Sequence, residues 1–541
     1  MTTTAYPAGT APRSFGEAFR GYAASAQARE DLVVFSLVVL VHAILAYFLA
    51  IEWNVWKAEA LARTASAQSV FWSRDPHLAA IGFSTNPLQS VLQLPLVLFR
   101  PLASSGLAGP IVSILAGGVG ALFLLRAVRE LGVPWRLSFV FLAAAVAAPM
   151  MLFYTANGMS ESLFIAALWA ATYFFVREEY QPERFGTLSL LGLAVGVAFL
   201  ARYEGVLVML VLFLAVLFGE FFRRASQQKL EGITLMFLVV PLYVIFLWLL
   251  ANWLTLGNPL YFLTGEFPNV AQRALLPPEV TAVIGQPVEV AKFVLAKIVA
   301  LSLLFLILAP LLLVWGVARR NLLALVLLAI WSAVPLLTAF YLLIGQSFGA
   351  TRSFLYVIPG GVAAAAFFFG ATRTVDERGQ ASVGPGGVVL LLLVALSPLA
   401  SWVGLAAPAL QDEQPFITAL TQRIRPVANG DYYWLDPEIV PALDAIPGLI
   451  LLDSYNNQGV ILRVKEPAKL AIPSDRDFRQ LLDNPTASVR YVLVPRPQGL
   501  GALDAINVRY PRLYSGGEAW ATLVREFRES GYRLFRVRSS T

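Results

Sequence analysis

The first apolar run of the chain decides its class of fold. Positions 32–51 read LVVFSLVVLVHAILAYFLAI, and His42 is the only ionisable residue among them apart from Tyr47. A helix of about 20 such residues crosses the roughly 30 Å hydrocarbon core of a bilayer. The run is too long for the core of a signal peptide and lacks a small-residue cleavage site, so we predict a retained first span. The polar residues 1–31 before it are expected to form a cytoplasmic N-terminal segment.

Ten further apolar runs follow this one along the chain. They lie at 107–125, 136–153, 160–176, 186–201, 204–222, 231–254, 293–317, 322–344, 354–371 and 387–405. The composition agrees with this pattern, because 58% of the 541 residues are hydrophobic and only 14% are charged. Soluble domains have about 25% charged residues. We therefore predict a polytopic α-helical membrane protein with about eleven transmembrane helices.

The basic residues between the apolar runs predict the topology. With the N-terminus inside, the inner loops are 126–136, 177–184, 223–229, 319–321 and 372–386, and each contains Arg or Lys. Positive charge on the cytoplasmic side is the usual rule for membrane proteins. An odd number of spans places the C-terminal part outside. We expect a multi-pass plasma-membrane protein with a cytoplasmic N-terminus and an extracytoplasmic C-terminal domain.

The membrane domain is predicted to cover residues 32–405 and to have an unusually long first outer loop, 52–106. Within that loop, residues 58–71 have the pattern of an amphipathic helix. Residues 86–99 form a second apolar stretch, which several prolines interrupt. That stretch is too short and broken for a full span and is expected to be an interfacial or re-entrant helix.

The composition changes after the last span, and residues 406–541 are predicted to form a soluble α/β domain. Apolar runs at 449–452 and 491–494 are typical of strands, whereas 476–482 and 518–530 are interpreted as helices. The domain contains no glycine-rich phosphate-binding motif and no nucleophile elbow. We expect a small lid or recognition domain.

The composition also excludes several kinds of chemistry. The chain has no cysteine and only two histidines, His42 and His77, so disulfides, thiolate sites and a His-rich metal centre are excluded. The net charge of +6 comes from short Lys and Arg clusters between apolar runs, as topology requires, so no nucleic-acid partner is expected. Any catalysis must use carboxylates, Lys, Arg, Tyr or Ser.

Ionisable residues at the predicted outer face are the best candidates for function, because a charge there is costly and usually faces a cavity. Glu59 and Arg63 lie on the amphipathic helix of the first loop at the i, i+4 spacing of an ion pair. Asp75 and His77 follow the same helix in the segment Ser-Arg-Asp-Pro-His. Asp75 precedes a proline and is equally suited to a turn or a cap.

Four more candidates lie on later outer turns. Glu161 begins the fourth predicted span, where a carboxylate also stabilises a helix N-terminus. Arg202 and Glu204 lie in the turn Ala-Arg-Tyr-Glu-Gly, where they can pair with each other. Arg352 is a single cation in an otherwise uncharged turn, and arginine suits both phosphate binding and an orientation anchor. Together the candidates predict an outward-facing pocket with a carboxylate base and phosphate-binding arginines.

In these features the chain resembles the GT-C superfamily of polyprenyl-phosphate-sugar-dependent glycosyltransferases. It is most similar to the bacterial relatives of protein O-mannosyltransferases and of aminoarabinose lipid A transferases, a family-39-like group. The resemblance rests on the acidic residue in a long helical first outer loop, the turn Ala201-Arg-Tyr-Glu-Gly205, the motif Gly257-Asn-Pro-Leu-Tyr-Phe262 and the α/β tail. It covers most of the membrane region.

The resemblance implies an inverting glycosyltransferase that moves a sugar from an undecaprenyl- or decaprenyl-type phosphate to an extracytoplasmic glycan, lipid or protein. It implies Glu59 as the catalytic base, with Asp75 as the reserve candidate, and Arg202 and Arg352 as phosphate ligands. The other expected substrate-binding residues are Glu161, Glu204, His77 and Arg63.

Three points remain open on the sequence. Lys57 and Ala58 precede Glu59 where the family has an adjacent acidic pair, so a divalent cation, Mg²⁺ or Mn²⁺, is an optional cofactor, and no metal-binding residues are assigned. A transporter or lipid flippase would also have many spans and few buried charges, although no internal repeat is visible. A purely structural membrane protein would leave the outer-face charges without a shared site.

Overall fold

The computed structural model describes residues 25–82, 86–180, 185–264, 276–375, 381–423, 432–433 and 436–538. Residues 1–24 of the predicted N-terminal segment lie outside this set. The helices are α1 Ala26–Tyr47, α2 Ala58–Trp72, α3 Leu88–Val97, α4 Arg100–Ser104, α5 Ala108–Glu130, α6 Trp135–Val146, α7 Pro149–Ala156, α8 Glu161–Tyr180, α9 Phe185–Ala201, α10 Gly205–Phe222, α11 Gln227–Leu256, α12 Tyr261–Thr264, α13 Pro278–Thr281, α14 Pro287–Leu301, α15 Leu303–Ala318, α16 Leu322–Leu343, α17 Val357–Ala371, α18 Pro385–Gly404, α19 Gln414–Gln422, α20 Ile439–Asp444, α21 Gln458–Arg463, α22 Phe478–Asp483, α23 Ala505–Arg509 and α24 Leu513–Gly516. The strands are β1 Trp56–Lys57, β2 Arg373–Val375, β3 Ala381–Val383, β4 Tyr432–Tyr433, β5 Ile450–Leu451, β6 Leu470–Ala471, β7 Tyr491–Val494, β8 Ala521–Phe527 and β9 Tyr532–Val537.

Each of the eleven predicted spans coincides with a helix or with a bent pair of helices. Within the described ranges, seven helices are long and apolar enough to cross a membrane: α1, α5, α10, α11, α16, α17 and α18. The number reaches nine if two bent pairs, α6 with α7 at 72° and α14 with α15 at 117°, are each counted as one broken span. The other two predicted spans are α9, which is short, and α8, whose last turn is charged. The predicted class of fold is confirmed.

Helix α8 lies at the centre of the bundle and packs against α5, α9 and α16. Small residues permit close approach, since a Cβ added at Gly120 of α5 would stand 3.2 Å from the Cα of Ala166 in α8. Towards α16, the rings of Trp169 and Trp331 lie 4.7 Å apart. Close packing of this kind stabilises helix pairs in a bilayer, where lipid is as apolar as the side chains themselves.

The predicted amphipathic helix of the first loop is α2, and it packs against the C-terminal domain. Trp56 and Leu61 share a hydrophobic core with Ile450 and Val460. Strand β1 pairs antiparallel with β4, which brings Lys57 opposite Tyr432. The first loop and the C-terminal domain therefore form one packed layer at one end of the bundle, which we call the α2 end.

The C-terminal domain is built on a five-stranded mixed sheet of order β6-β5-β7-β9-β8. Strands β5 and β7 fall within the predicted strands, and α22 overlaps the predicted helix at 476–482. The prediction of a helix over 518–530 is wrong, because Ala521–Phe527 is the edge strand β8. It pairs antiparallel with β9 and contains the β-branched residues Thr522 and Val524. Pairing with a strand later in the chain outweighed the local helical pattern.

Candidate functional site

Six of the eight predicted site residues meet at the α2 end of the bundle. They come from four separate segments: Glu59 and Arg63 from α2, Glu161 from the start of α8, Arg202 and Glu204 from the turn between α9 and α10, and Arg352 from the turn before α17. We call these six residues the charge cluster. It contains three carboxylates and three guanidinium groups.

Glu59 is bound through both of its carboxylate oxygens. Oε1 accepts hydrogen bonds from Arg63 Nη2 at 2.7 Å and from Arg63 Nε at 3.2 Å. Oε2 is ion-paired with Nη1 of Arg352. The Glu59 side chain is nevertheless 29% exposed, so this carboxylate is accessible from outside the bundle.

Arg202 joins the other two carboxylates of the cluster. Its Nη1 lies 2.5 Å from Glu161 Oε1, and its Nη2 lies 2.8 Å from Glu204 Oε1. The Glu161 side chain is fully buried, and its Oε2 has no hydrogen-bond partner in the described part of the chain. Electrostatic interaction links Arg202 to Glu59 and Arg352 to Glu204, so the two halves form one network.

The arginines keep the accessible carboxylates charged. Burial alone would raise the pKa of Glu59, but the guanidinium groups of Arg352 and then Arg63 outweigh it and hold that pKa well below its usual range. Burial also opposes ionisation of Glu204, yet Arg202 lowers the pKa of this carboxyl as well. Both groups are therefore carboxylates at neutral pH.

A glycine turn places Glu161 at the start of α8. Gly158 has a φ of +87°, and a Cβ there would lie 2.8 Å from Pro110 of α5. Glycine avoids both the strain of the left-handed region and this clash. Gln89 of α3 donates to the Gly158 carbonyl at 3.0 Å, which ties the turn to the first loop.

The turn at 201–205, which carries Arg202 and Glu204, is also closely packed. A Cβ at Gly205 would approach the backbone nitrogen of Phe199 to 2.4 Å, so only glycine allows α9 and α10 to meet this tightly. The ring of Tyr203 stacks on Phe262 at 4.7 Å. The motif at 257–262 therefore supports the turn that carries Arg202 and Glu204.

Asp75 and His77 lie outside the charge cluster. Asp75 Oδ2 accepts a hydrogen bond from the backbone N–H of Arg476 at 3.1 Å, and His77 Nδ1 lies 2.6 Å from the Asp75 carbonyl. Helix α2 extends about 20 Å from Glu59 to Trp72, at 1.5 Å per residue. The structure therefore places Asp75 against the C-terminal domain and not beside Glu59.

The charge cluster contains no preassembled set of three protein ligands for a divalent metal among the described residues. Mg²⁺ and similar ions take mainly oxygen ligands. Among the residues that the structure describes, no three Asp, Glu, His or Cys side chains converge on one point. Each carboxylate of the cluster faces a guanidinium group instead. Arginine therefore supplies the positive charge of this site.

Two ion pairs beside the cluster, one buried and one partly exposed, were missed by reasoning from the sequence. Glu413 pairs with Lys57 at 2.9 Å, and Asp412 pairs with Lys297 at 2.7 Å. The available signal was Lys297, an ammonium group inside a predicted span, because such a group is costly without a partner. Nothing in the sequence distinguished Asp412 and Glu413 from the first polar residues of a soluble domain.

Comparison with known proteins identifies the class of fold. Residues 91–249 match the family described as dolichyl-phosphate-mannose-protein mannosyltransferase, and this segment includes Glu161, Arg202 and Glu204. No curated protein matches the chain by sequence. The crystal structure of ArnT from Cupriavidus metallidurans bound to undecaprenyl phosphate matches with a TM-score of 0.56 at 14% identity, over 94% of this chain and 98% of ArnT. The chain has the GT-C fold.

Two further solved structures are similar to the chain. The same ArnT in its apo state matches with a TM-score of 0.51 at 14% identity, over 94% of this chain and 98% of that one. A weaker match, with a TM-score of 0.44 at 11% identity over 90% and 71% of the two chains, is the oligosaccharyltransferase AglB from Archaeoglobus fulgidus. The predicted resemblance is confirmed, and the family match supports the predicted class of enzyme, a membrane glycosyltransferase with a lipid-linked donor.

Proposed function

We propose that this GT-C protein transfers a sugar from a polyprenyl-phosphate carrier to an acceptor hydroxyl at the α2 end, with inversion at the anomeric carbon. The observation that carries the proposal is the charge cluster. It presents an accessible carboxylate, Glu59, directly beside Arg352, which is suited to bind phosphate. A base and a phosphate ligand in contact are what glycosyl transfer from a lipid phosphate requires.

The α2 end faces the outside of the cell in this proposal. The helix ends and loops at the opposite end of the bundle carry Arg126, Arg129, Arg223 and Lys229, which supports a cytoplasmic location for that end. The C-terminal domain then lies outside the plasma membrane and covers the acceptor side. The acceptor is a glycan, lipid or protein of the cell envelope.

Donor binding changes the partners of Arg352. The cluster has equal numbers of carboxylates and guanidinium groups, so an incoming phosphate must compete with the carboxylates for the arginines. The phosphate binds Arg202 and Arg352, as arginine favours bidentate contacts with such oxygens. Once Arg352 turns to the phosphate, Glu59 keeps Arg63 but loses its other guanidinium partner. The pKa of Glu59 then rises towards its usual range, and its carboxylate becomes a stronger base.

The transfer itself proceeds in one displacement. Glu59 accepts the proton of the acceptor hydroxyl as the oxygen attacks the anomeric carbon. The bond between that carbon and the phosphate oxygen breaks, and its electron pair remains on the phosphate. Arg202 and Arg352 stabilise the negative charge that develops there. Attack opposite the leaving phosphate inverts the anomeric centre.

The test uses the full-length protein in nanodiscs with a panel of radiolabelled polyprenyl-phosphate sugars and an envelope fraction as acceptor. We expect label to leave the lipid with wild-type protein and not with Glu59→Gln. Glu52→Gln is the matched control, because Glu52 lies on the same loop, is exposed and bonds only to Tyr47 among the contacts described.

Two outcomes contradict the proposal in different ways. Equal transfer by wild type and Glu59→Gln would remove Glu59 as the base. No transfer from any donor, together with no binding of undecaprenyl phosphate, would contradict glycosyl transfer and favour a transporter.

A further inference from the structure

A buried carboxylate fixes the residue from which α2 begins. Lys57 Nζ donates to Glu413 Oε1 at 3.0 Å and lies 2.9 Å from Oε2. The hydroxyl groups of Tyr154 and Tyr432 donate to the same carboxylate, one to each oxygen. Lys57 immediately precedes α2 and stands two positions before Glu59. The position of Glu59 therefore depends on the contacts of Glu413.

The neighbouring carboxylate fixes the turn that carries Arg352. Asp412 Oδ2 accepts from the backbone N–H of Thr351 at 2.6 Å, and Oδ1 accepts from Thr351 Oγ1 at 2.7 Å. Lys297 Nζ donates to Asp412 Oδ1 at 2.7 Å and to Thr351 Oγ1 at 2.8 Å. Thr351 is fully buried and directly precedes Arg352. The backbone position of Arg352 therefore depends on Asp412.

Asp412 and Glu413 are adjacent at the end of one 3₁₀ segment, Pro408–Glu413, which follows the last span. Glu59 and Arg352 form an ion pair although they are 293 positions apart in the chain. This one segment contacts Lys57, which lies two positions before Glu59, and Thr351, which directly precedes Arg352. We propose that Asp412 and Glu413 are positioning residues for the transfer site, Glu413 acting on Glu59 through Lys57 and Asp412 acting on Arg352 through Thr351. This inference rests on the proposed function.

Stability alone is a poor explanation for the fully buried carboxylate of Glu413 and for Asp412, which is partly exposed but pairs with the buried Lys297. Replacing a buried ion pair by apolar residues is often neutral or stabilising, since desolvation offsets the attraction between the charges. A carboxylate also orients its partners, because each of its oxygens accepts hydrogen bonds along defined lone-pair directions. Asp412 and Glu413 each accept hydrogen bonds at both oxygens, and their partners include Thr351 and Lys57, which neighbour Arg352 and Glu59 in the chain.

The two carboxylates should affect different kinetic parameters. Glu413 acts on the base, so Glu413→Gln should lower kcat by about tenfold or more and leave phosphate binding within about twofold. Asp412 acts on a phosphate ligand, so Asp412→Asn should weaken binding of undecaprenyl phosphate by about tenfold. A residue that only stabilised the fold would not separate binding from turnover.

The experiment compares full-length variants in nanodiscs by three measurements. The first is binding of radiolabelled undecaprenyl phosphate, and the second is kcat and KM with the donor that wild type uses. The third is carbodiimide labelling of Glu59, quantified by mass spectrometry, which does not depend on activity. The matched control is Glu220→Gln, because Glu220 is also buried and pairs with Arg223 and Lys229 at 2.9 Å.

We expect both variants to increase labelling of Glu59 by about threefold or more, because a displaced Arg352 or Glu59 exposes the carboxylate. In the same experiments, Glu413→Gln should lower kcat and Asp412→Asn should weaken lipid binding. Glu220→Gln should change neither binding, nor kinetics, nor labelling. Variants that match Glu220→Gln in every measurement, or that lose binding, turnover and folded protein together, overturn the positioning role. If wild type neither binds nor transfers, the proposed function fails, and the labelling of Glu59 alone decides the positioning role.

Discussion

The two ends of helix α2 carry the two carboxylates that the sequence offers as a catalytic base, and their surroundings differ. At the first turn, Glu59 meets Arg63 of its own helix and Arg352 of the bundle, and it remains partly exposed. Beyond the last turn, Asp75 accepts a hydrogen bond from the backbone of Arg476 in the C-terminal domain. One helix therefore serves two purposes: its start contributes to the charge cluster, and its end docks the C-terminal domain.

The largest expected effect separates these two carboxylates. Glu59→Gln should lower the single-turnover rate of sugar transfer by about 10²–10⁴-fold, because an amide cannot accept the proton. Asp75→Asn should change that rate by less than about threefold, since its carboxylate only supports docking. Rapid mixing with a labelled donor measures both. A greater loss in Asp75→Asn than in Glu59→Gln would reverse the assignment of the base.

A smaller effect should separate Arg352, which pairs with Glu59 at the start of α2, from Arg74, which lies beside Asp75 after its end. The quantity compared is the affinity for undecaprenyl phosphate. Arg352→Gln should weaken binding of undecaprenyl phosphate by about 10- to 100-fold, the range expected for a lost charge-assisted hydrogen bond. Arg74→Gln, beside Asp75, should leave that binding unchanged. Glu59→Gln should bind the lipid at least as tightly as wild type, because Arg352 is then released from its carboxylate. Equilibrium binding with labelled lipid is the measurement, and weaker binding by Glu59→Gln would contradict the competition between carboxylate and phosphate.

The acid limb of the pH profile sharpens the comparison further. The lowered pKa of Glu59 means that the free enzyme keeps this carboxylate ionised well below the usual Glu pKa of about 4.3. The acid limb of kcat/KM, which reports the free enzyme, should therefore lie below that value. Arg352→Gln removes the strongest of the lowering charges, so the pKa rises and the limb should move upward by about one pH unit or more. Arg74→Gln should leave the limb in place, and an unmoved limb in Arg352→Gln would contradict the role of that pair.

The smallest effects concern stability at the docking end. Arg74 binds Asp475, whose side chain is fully buried, at 3.1 Å and also pairs with Asp477. Arg74→Gln should therefore lower the free energy of unfolding by about 1–3 kcal/mol, because a buried carboxylate loses its partner. Asp75→Asn should lower it by less than about 1 kcal/mol, since its partner Arg476 is largely exposed. Thermal unfolding of the full chain measures both, and equal losses would contradict this ranking.

Much of the fold was predictable because its signals are local. An apolar run long enough to cross a bilayer is visible in the sequence, and all eleven predicted runs coincide with helices or bent pairs. Helix α2 was predictable from its amphipathic pattern to within one residue. The edge strand at Ala521–Phe527 was not, because a short apolar segment is compatible with either structure until its neighbouring strand is known.

The candidate residues were predictable one at a time, whereas their contacts were not. Glu59, Arg202 and Arg352 stood out because a charge at a membrane face is costly. Asp75 had the same signal as Glu59, yet it contacts a different part of the molecule. Glu413 had no signal, because its role depends on a lysine 356 positions earlier in the chain.

The sequence by itself determined that the chain lies in a membrane and where its helices run. It also showed that a long helical loop follows the first span, and which charges are costly enough to need a partner. Only the tertiary structure decided that Glu59 pairs with Arg352, that Asp75 binds the C-terminal domain and that Glu413 and Asp412 contact Lys57 and Thr351, the neighbours of Glu59 and Arg352. The physical reason is the range of the interactions. Insertion of a helix depends on about 20 consecutive residues, whereas an ion pair depends on which helices pack together and brings side chains from distant segments within 3 Å of each other.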